Sequence, residues 1–146
     1  MFMPVWENSG STRTKRLFMD SSWRSFSPDM PDDFDFPSWT TALPQPIMLG
    51  PKATTWGGEC TIPINILLAA NKGECKIYLW GRVEYNDVFE GTPRHRTEYC
   101  VEVRVTGNPH LYQDGGQPLV PFIYRGNPRH NGTEDECFHK LKTASS

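Results

Sequence analysis

The strongest signal in the chain is an alternation of apolar and polar positions, seen twice. In KIYLWGRVEY (76–85), Ile77, Leu79, Val83 and Tyr85 alternate with Lys76, Tyr78, Trp80, Arg82 and Glu84. In RTEYCVEVRV (96–105), Thr97, Tyr99, Val101, Val103 and Val105 alternate with Arg96, Glu98, Cys100, Glu102 and Arg104. A period of two over ten residues predicts half-buried strands, because successive side chains of an extended chain point to opposite faces. Between the two runs lies NDVFEGTPRH, broken by Gly91 and Pro93, so the pair reads as an antiparallel hairpin. Both apolar sets carry odd numbers. Directly paired residues share a face, so paired numbers must sum to an even value and the loop has odd length. Five residues, with Phe89 facing His95, satisfy this. Arg82, Glu84, Glu98, Cys100 and Glu102 then share the second face, whose alternating charges predict an ordinary solvated surface.

Weaker signals place the remaining elements. MPVWEN (3–8) and KRLFMDSSW (15–23) read as strands joined through the turn chemistry of NSGST, as a hairpin or a corner. TTWGGECTI (54–62) suggests a short strand with a glycine-marked bend. PINILLAANKG predicts a short helix: Pro63 suits its first turn, Lys72 its last and Gly73 the position just past its end. Ile64, Leu67 and Leu68 would share its buried face. LVPFIY (119–124) reads as a further strand, placed at a sheet edge by Pro121. The segment from 126 to 146 reads as a loosely ordered tail with one last turn or short strand around ECFHKL.

Residues 27–51 differ in kind, with six prolines and four aspartates. Proline removes ladder donors and pushes its predecessor to extended geometry, so regular structure is not expected here. Phe34, Phe36, Trp39, Ile47 and Leu49 indicate that this acidic loop is pinned to the domain rather than free. The expected layout is one domain over 1–125, carrying the 27–51 loop on its surface, followed by the tail.

At 146 residues the chain is long enough for one domain with a proper core. A net charge of -2 and a pI near 6.1 argue against a sequence-independent nucleic-acid binder, which needs a basic footprint. With a mean hydropathy of -0.56 and no long apolar run, no membrane span is expected. The N-terminus has neither a basic region nor an apolar core of signal type, so a soluble, cytoplasmic protein is expected. Cys60, Cys75, Cys100 and Cys137 form no CxxC pair. Free thiols are expected, with one bridge between neighbouring strands as the alternative.

Four constellations bear on chemistry. His130, Cys137 and His139 are the one cluster of ligand-type residues, although their spacing matches no structural zinc pattern. His95 and Cys100 stand five residues apart in one strand, ~16 Å apart and on opposite faces, which excludes a dyad between them. Asp29, Asp32, Asp33 and Asp35 resemble a calcium loop only loosely. Counting from Asp29, the sixth and twelfth positions are Phe34 and Thr40, where glycine and glutamate are required. Tyr78 and Trp80 stand on the otherwise polar face. They form either a binding platform for a sugar or peptide, together with Phe34 and Trp39, or a patch buried by the proline-rich segment, the reading favoured here. Asn131-Gly132-Thr133 would be a glycosylation acceptor only in a secreted eukaryotic protein. GxSxG, P-loop, GxGxxG and HExxH signatures are absent.

Two stretches, MPVWENSGSTRTKRL and IYLWGRVEYNDVFEGTPRHRTEYC, together resemble an uncharacterised group of bacterial proteins. In that group an asparagine-glycine-threonine corner follows the first strand. A hairpin near the C-terminus carries tyrosine, aspartate, phenylalanine, a turn, threonine, an aromatic residue and cysteine. The matching positions are Asn8, Gly10 and Thr12, then Tyr85, Asp87, Phe89, Thr97, Tyr99 and Cys100. LGPKATTWGG (49–58) also resembles a segment that precedes the short helix in that group. The likeness covers most of residues 3–105. It implies an immunoglobulin-like antiparallel β-sandwich, often preceded by membrane helices, and no particular activity. This chain starts at the first strand, as a truncated product or a soluble relative would. The fold expectation is therefore mainly β, with one short helix and a long proline-rich loop, burying Ile77, Leu79, Val83, Val101 and Val103. The functional expectation is a non-enzymatic binding or accessory module with a protein partner and no cofactor. The alternatives are a metal-dependent activity through His130, Cys137 and His139, and a carbohydrate-binding sandwich.

Overall fold

A computed structural model describes residues 2–37, 47–57, 59–106 and 122–137. The chain is mainly β, with antiparallel sheets and one short helix. In order it forms β1 (Val5–Glu7), β2 (Thr14–Phe26), β3 (Ile47–Leu49), β4 (Thr54–Trp56), α1 (Ile64–Asn71), β5 (Lys76–Asp87), β6 (His95–Val105), β7 (Phe122–Gly126) and β8 (Gly132–Thr133). A 3-10 turn follows at Glu134–Glu136. The main sheet has the order β3-β2-β5-β6-β7, and β8 pairs with β6 beside the end of β7. A second sheet consists of β1 and β4. This two-sheet arrangement is consistent with the expected sandwich, its second sheet being reduced to two strands. No helix among the described residues is long and apolar enough to cross a membrane.

The central hairpin forms where the alternation places it. Ile77 pairs with Val103, Leu79 with Val101, Val83 with Thr97 and Tyr85 with His95. The parity is the expected even one. The pairing, however, closes at Tyr85 and His95, so the connection spans residues 86–94 rather than five residues, and Phe89 is exposed. The reason lies on the other side of β5. Asn86 and Asp87 pair with Lys15 and Thr14 of β2, which draws the end of β5 away from β6. β1 does not pair with β2. It leaves the main sheet to pair with β4, so the Asn8–Thr12 segment is a corner between sheets.

On the odd-numbered face, Ile77, Leu79 and Val103 pack with Phe2, Cys60, Ile62 and Leu67 of the second layer. Val83 packs with Leu17 and Leu49 in a neighbouring cluster. Val101 is half-buried against the first of these. The helix ends as its sequence requires. Gly73 takes φ 79°, its amide donates to the Ala70 carbonyl and the Glu74 amide donates to the Ala69 carbonyl. Its inward stripe is Ile66, Leu67 and Ala70, and Ile64 is exposed, in place of the expected Ile64-Leu67-Leu68 face. The helix is only eight residues long.

The middle of the even-numbered face is buried, not solvated, while Arg104 near its end stays exposed. Glu98 is 2 % exposed and Arg96 and Cys100 are also buried. Two segments cover it, residues 28–37 and 127–137. The charges tolerate this because they satisfy one another: Arg96 Nη1 lies 2.7 Å from Glu84 Oε1, and Arg96 Nη2 lies 2.7 Å from Glu98 Oε1. Residues 126–137 are thus not a loose tail. They contribute β8, the 3-10 turn and the buried His130 and Cys137.

Candidate functional site

On the odd face, where β1 leaves the main sheet, a cavity of about 490 Å³ opens beneath the corner of residues 8–13. Leu17, Leu49 and Val83 form an apolar floor, Tyr85, Asp87, Thr14 and Thr97 extend it, and Trp6 and the corner supply the roof. The corner is built by Asn8. Its Oδ1 accepts from the Gly10 amide at 3.0 Å, the self-bonded turn that asparagine favours. Its Nδ2 donates to the carbonyls of Thr12, Leu49 and Gly50, tying the corner to the end of β3. The Lys52 ammonium donates to the Ser9 carbonyl. Volume and mixed lining fall within the range of small-molecule sites.

Three buried side-chain polar atoms have no hydrogen-bond partner among the described residues: Trp6 Nε1, Thr14 Oγ1 and Arg94 Nη2. Two of the three belong to residues that line this cavity. Native proteins leave few such atoms unpaired, because each carries its full desolvation cost.

A clasp borders the cavity. His95 Nε2 lies 2.8 Å from Asp87 Oδ2, and His95 Nδ1 lies 2.8 Å from Glu134 Oε1. The imidazole stacks on Tyr85 with centroids 5.0 Å apart. The Asp87 bond raises the pKa of His95 most, burial opposes it, and the Glu134 bond adds to the rise. Burial, then Glu134 and Asp87, raises the Tyr85 phenol. The clasp joins the end of β5 to the 3-10 turn and fixes the wall that includes Thr133.

The residues singled out in the sequence divide among other places. Tyr78 and Trp80 are buried beneath Phe34 and Phe36, as the folded-over alternative requires, and are not an open platform. The Trp80 indole donates to the Pro37 carbonyl at 3.0 Å, and Phe34 meets its ring edge-on at 5.1 Å. The Tyr78 hydroxyl donates to Asp29 at 2.6 Å. That bond, with those from Lys76 and the Met30 amide, lowers the Asp29 pKa to about 2. Trp39 lies outside the described residues, as does His139.

His130 is buried, stacks on Phe36 at 4.7 Å and directs Nε2 toward Glu98 Oε1 at 3.6 Å. The Cys137 thiol donates to the carbonyls of Arg96 and Gly132. Among the described residues no three His, Cys, Asp or Glu side chains group to hold a metal ion. All four cysteines are free, and burial pushes the Cys100 thiol up to about 12, with Arg129 pulling back. Cys100 sits in the aromatic cluster of the even face, while His95 stacks on Tyr85 across the sheet.

Sequence reasoning did not single out Trp6, Arg13 or Thr14 as site residues. One signal was nonetheless present. Asn8, Gly10, Thr12, Tyr85, Asp87 and Thr97, quoted above from two distant stretches, all line this one cavity. Comparison with protein-family models, curated proteins and solved structures finds no match to the chain. The fold and site define the class as an antiparallel, mainly β protein with a ligand-sized cavity at the corner between its sheets.

Proposed function

We propose that the protein is a non-enzymatic binding module whose ligand site is the cavity beneath the Asn8–Arg13 corner. The observation that carries this reading is that two residues lining one cavity, Trp6 and Thr14, each hold a buried polar atom, Nε1 and Oγ1, with no hydrogen-bond partner among the described residues. A ligand that bonds them would recover the desolvation cost they carry in the empty protein. Among the described residues, the one histidine beside the cavity supports binding over catalysis, because both ring nitrogens of His95 are engaged by carboxylates. We further infer an immunoglobulin-like arrangement, with the corner loop as the binding edge. That inference rests on the antiparallel two-sheet architecture and on the resemblance of residues 8–12 and 85–100 to the uncharacterised bacterial group. The test is a fragment screen on 15N-labelled protein, read at the Trp6 indole N–H resonance, which Trp6→Phe assigns by removing it. Saturable shifts of that resonance are expected. A screen whose hits all map elsewhere would move the site.

A further inference from the structure

Resting on that reading, we propose that the cavity takes an uncharged, carbonyl-bearing ligand with an apolar flank, that is, an acylated or peptide-like amide. An indole N–H donates only, so the ligand must present an acceptor to Trp6. The Thr14 hydroxyl can donate as well, which suits a carbonyl oxygen or a pair of them. The floor of Leu17, Leu49 and Val83 offers no polar atom and calls for an apolar side chain or acyl group.

Charge narrows the class. Two carboxylates line the cavity, Glu7 and Asp87, against one guanidinium, Arg13. With Asp87 paired to His95, Glu7 and Arg13 offset each other, so the cavity holds no surplus positive charge for an anionic ligand. A ligand's ammonium finds Asp87 already bonded to His95. A free amino acid therefore gains little at either end, whereas a neutral amide supplies the acceptor without the charge.

A sugar is the closest competitor, and its hydroxyls bring donors as well as acceptors. Asn8, the amide that would serve them, is already committed through Oδ1 to Gly10 and through Nδ2 to three carbonyls. Ser9, Gly10, Thr12 and Arg13, which line the cavity, are exposed.

The experiment titrates the full-length 15N-labelled chain with N-acetyl-leucine-methylamide, leucine and glucose, reading the Trp6 indole resonance. The capped amide is expected to move it saturably and to bind at least about tenfold tighter than either competitor, a difference of about 1.4 kcal/mol. Thr14→Val is expected to weaken that binding by about 3- to 10-fold. Glucose or leucine shifting the resonance at lower concentration than the capped amide overturns the ligand class and leaves the cavity as the site. No probe shifting it overturns both.

Discussion

Replacing Thr14 by valine tests the cavity where its physics is least ordinary. Thr14 is 7 % exposed, pairs with Leu49 and Asp87 across its two neighbouring strands, and carries a hydroxyl with no partner among the described residues. Threonine to valine in a core is normally unfavourable because a bonded hydroxyl is lost. Here there is no bond to lose. The substitution removes a desolvation cost of about 1–3 kcal/mol and gains about 0.8 kcal/mol for burying a methyl group. Valine is also β-branched, so the strand conformation is kept. Some of this gain is lost to imperfect packing of the methyl, which leaves an expected net stabilisation of about 1–2 kcal/mol. At roughly 3 °C per kcal/mol for a chain of this size, Tm rises by about 3–6 °C. Urea titration followed by tryptophan fluorescence measures the difference, with an unchanged m-value showing that the unfolded state is unaffected. A loss of 1 kcal/mol or more would show that the hydroxyl is bonded in solution, and the cavity would lose one of its two anchors.

Three further outcomes follow from other parts of the fold. A Cβ on Gly81 would lie 2.3 Å from the Asp20 carbonyl oxygen and 2.6 Å from the Tyr99 ring, so Gly81→Ala is expected to destabilise by about 3 kcal/mol; a loss under 0.5 kcal/mol in the same denaturation assay refutes that close approach. His95 has a raised pKa, so its contribution is complete below the unfolded value of ~6.5 and fades as pH rises through the folded value. NMR titration of its ring protons should give a midpoint above 6.5 that falls in Glu134→Gln, and a midpoint below 6.5 would break the clasp reading. Arg129 donates to the carbonyls of Pro31 and Phe34 and lies over the Phe36 ring, so Arg129→Lys, which lacks the fork, should cost about 2 kcal/mol and speed proteolysis within residues 28–37. An unchanged cleavage rate would show that Arg129 does not hold that segment.

The even face shows where reading a sequence reaches its end. Alternation along 76–85 and 96–105 reveals two chemically distinct faces, but not what covers each. Arg96, Glu84 and Glu98 look like solvated charges one strand at a time, and only their mutual pairing makes burial affordable. His130 and Cys137 were recognised as residues of chemical type. Their burial under Phe36 and against β6 depends on a turn that holds residues 127–137 to the sheet. The hairpin register was limited to one parity by the odd-numbered apolar sets. Its actual closure at Tyr85 and His95 was chosen by β2, more than sixty residues upstream in sequence.

Within residues 27–51, expected to lack regular structure, Ile47–Leu49 forms β3 against β2. The order of residues alone determined the strand alternation, the helix with its glycine stop and the near-neutral charge. Each depends on neighbours within a few positions, where periodicity, ring closure and side-chain type act directly. Tertiary structure alone decided the cavity, because its walls come from residues 6–10, 12–14, 17, 49, 83, 85, 87, 97 and 133. No local pattern announces that Trp6 and Thr14 will be left without partners. Whether a polar atom is satisfied is a property of everything packed around it, and that becomes defined only when the second sheet turns away at Asn8.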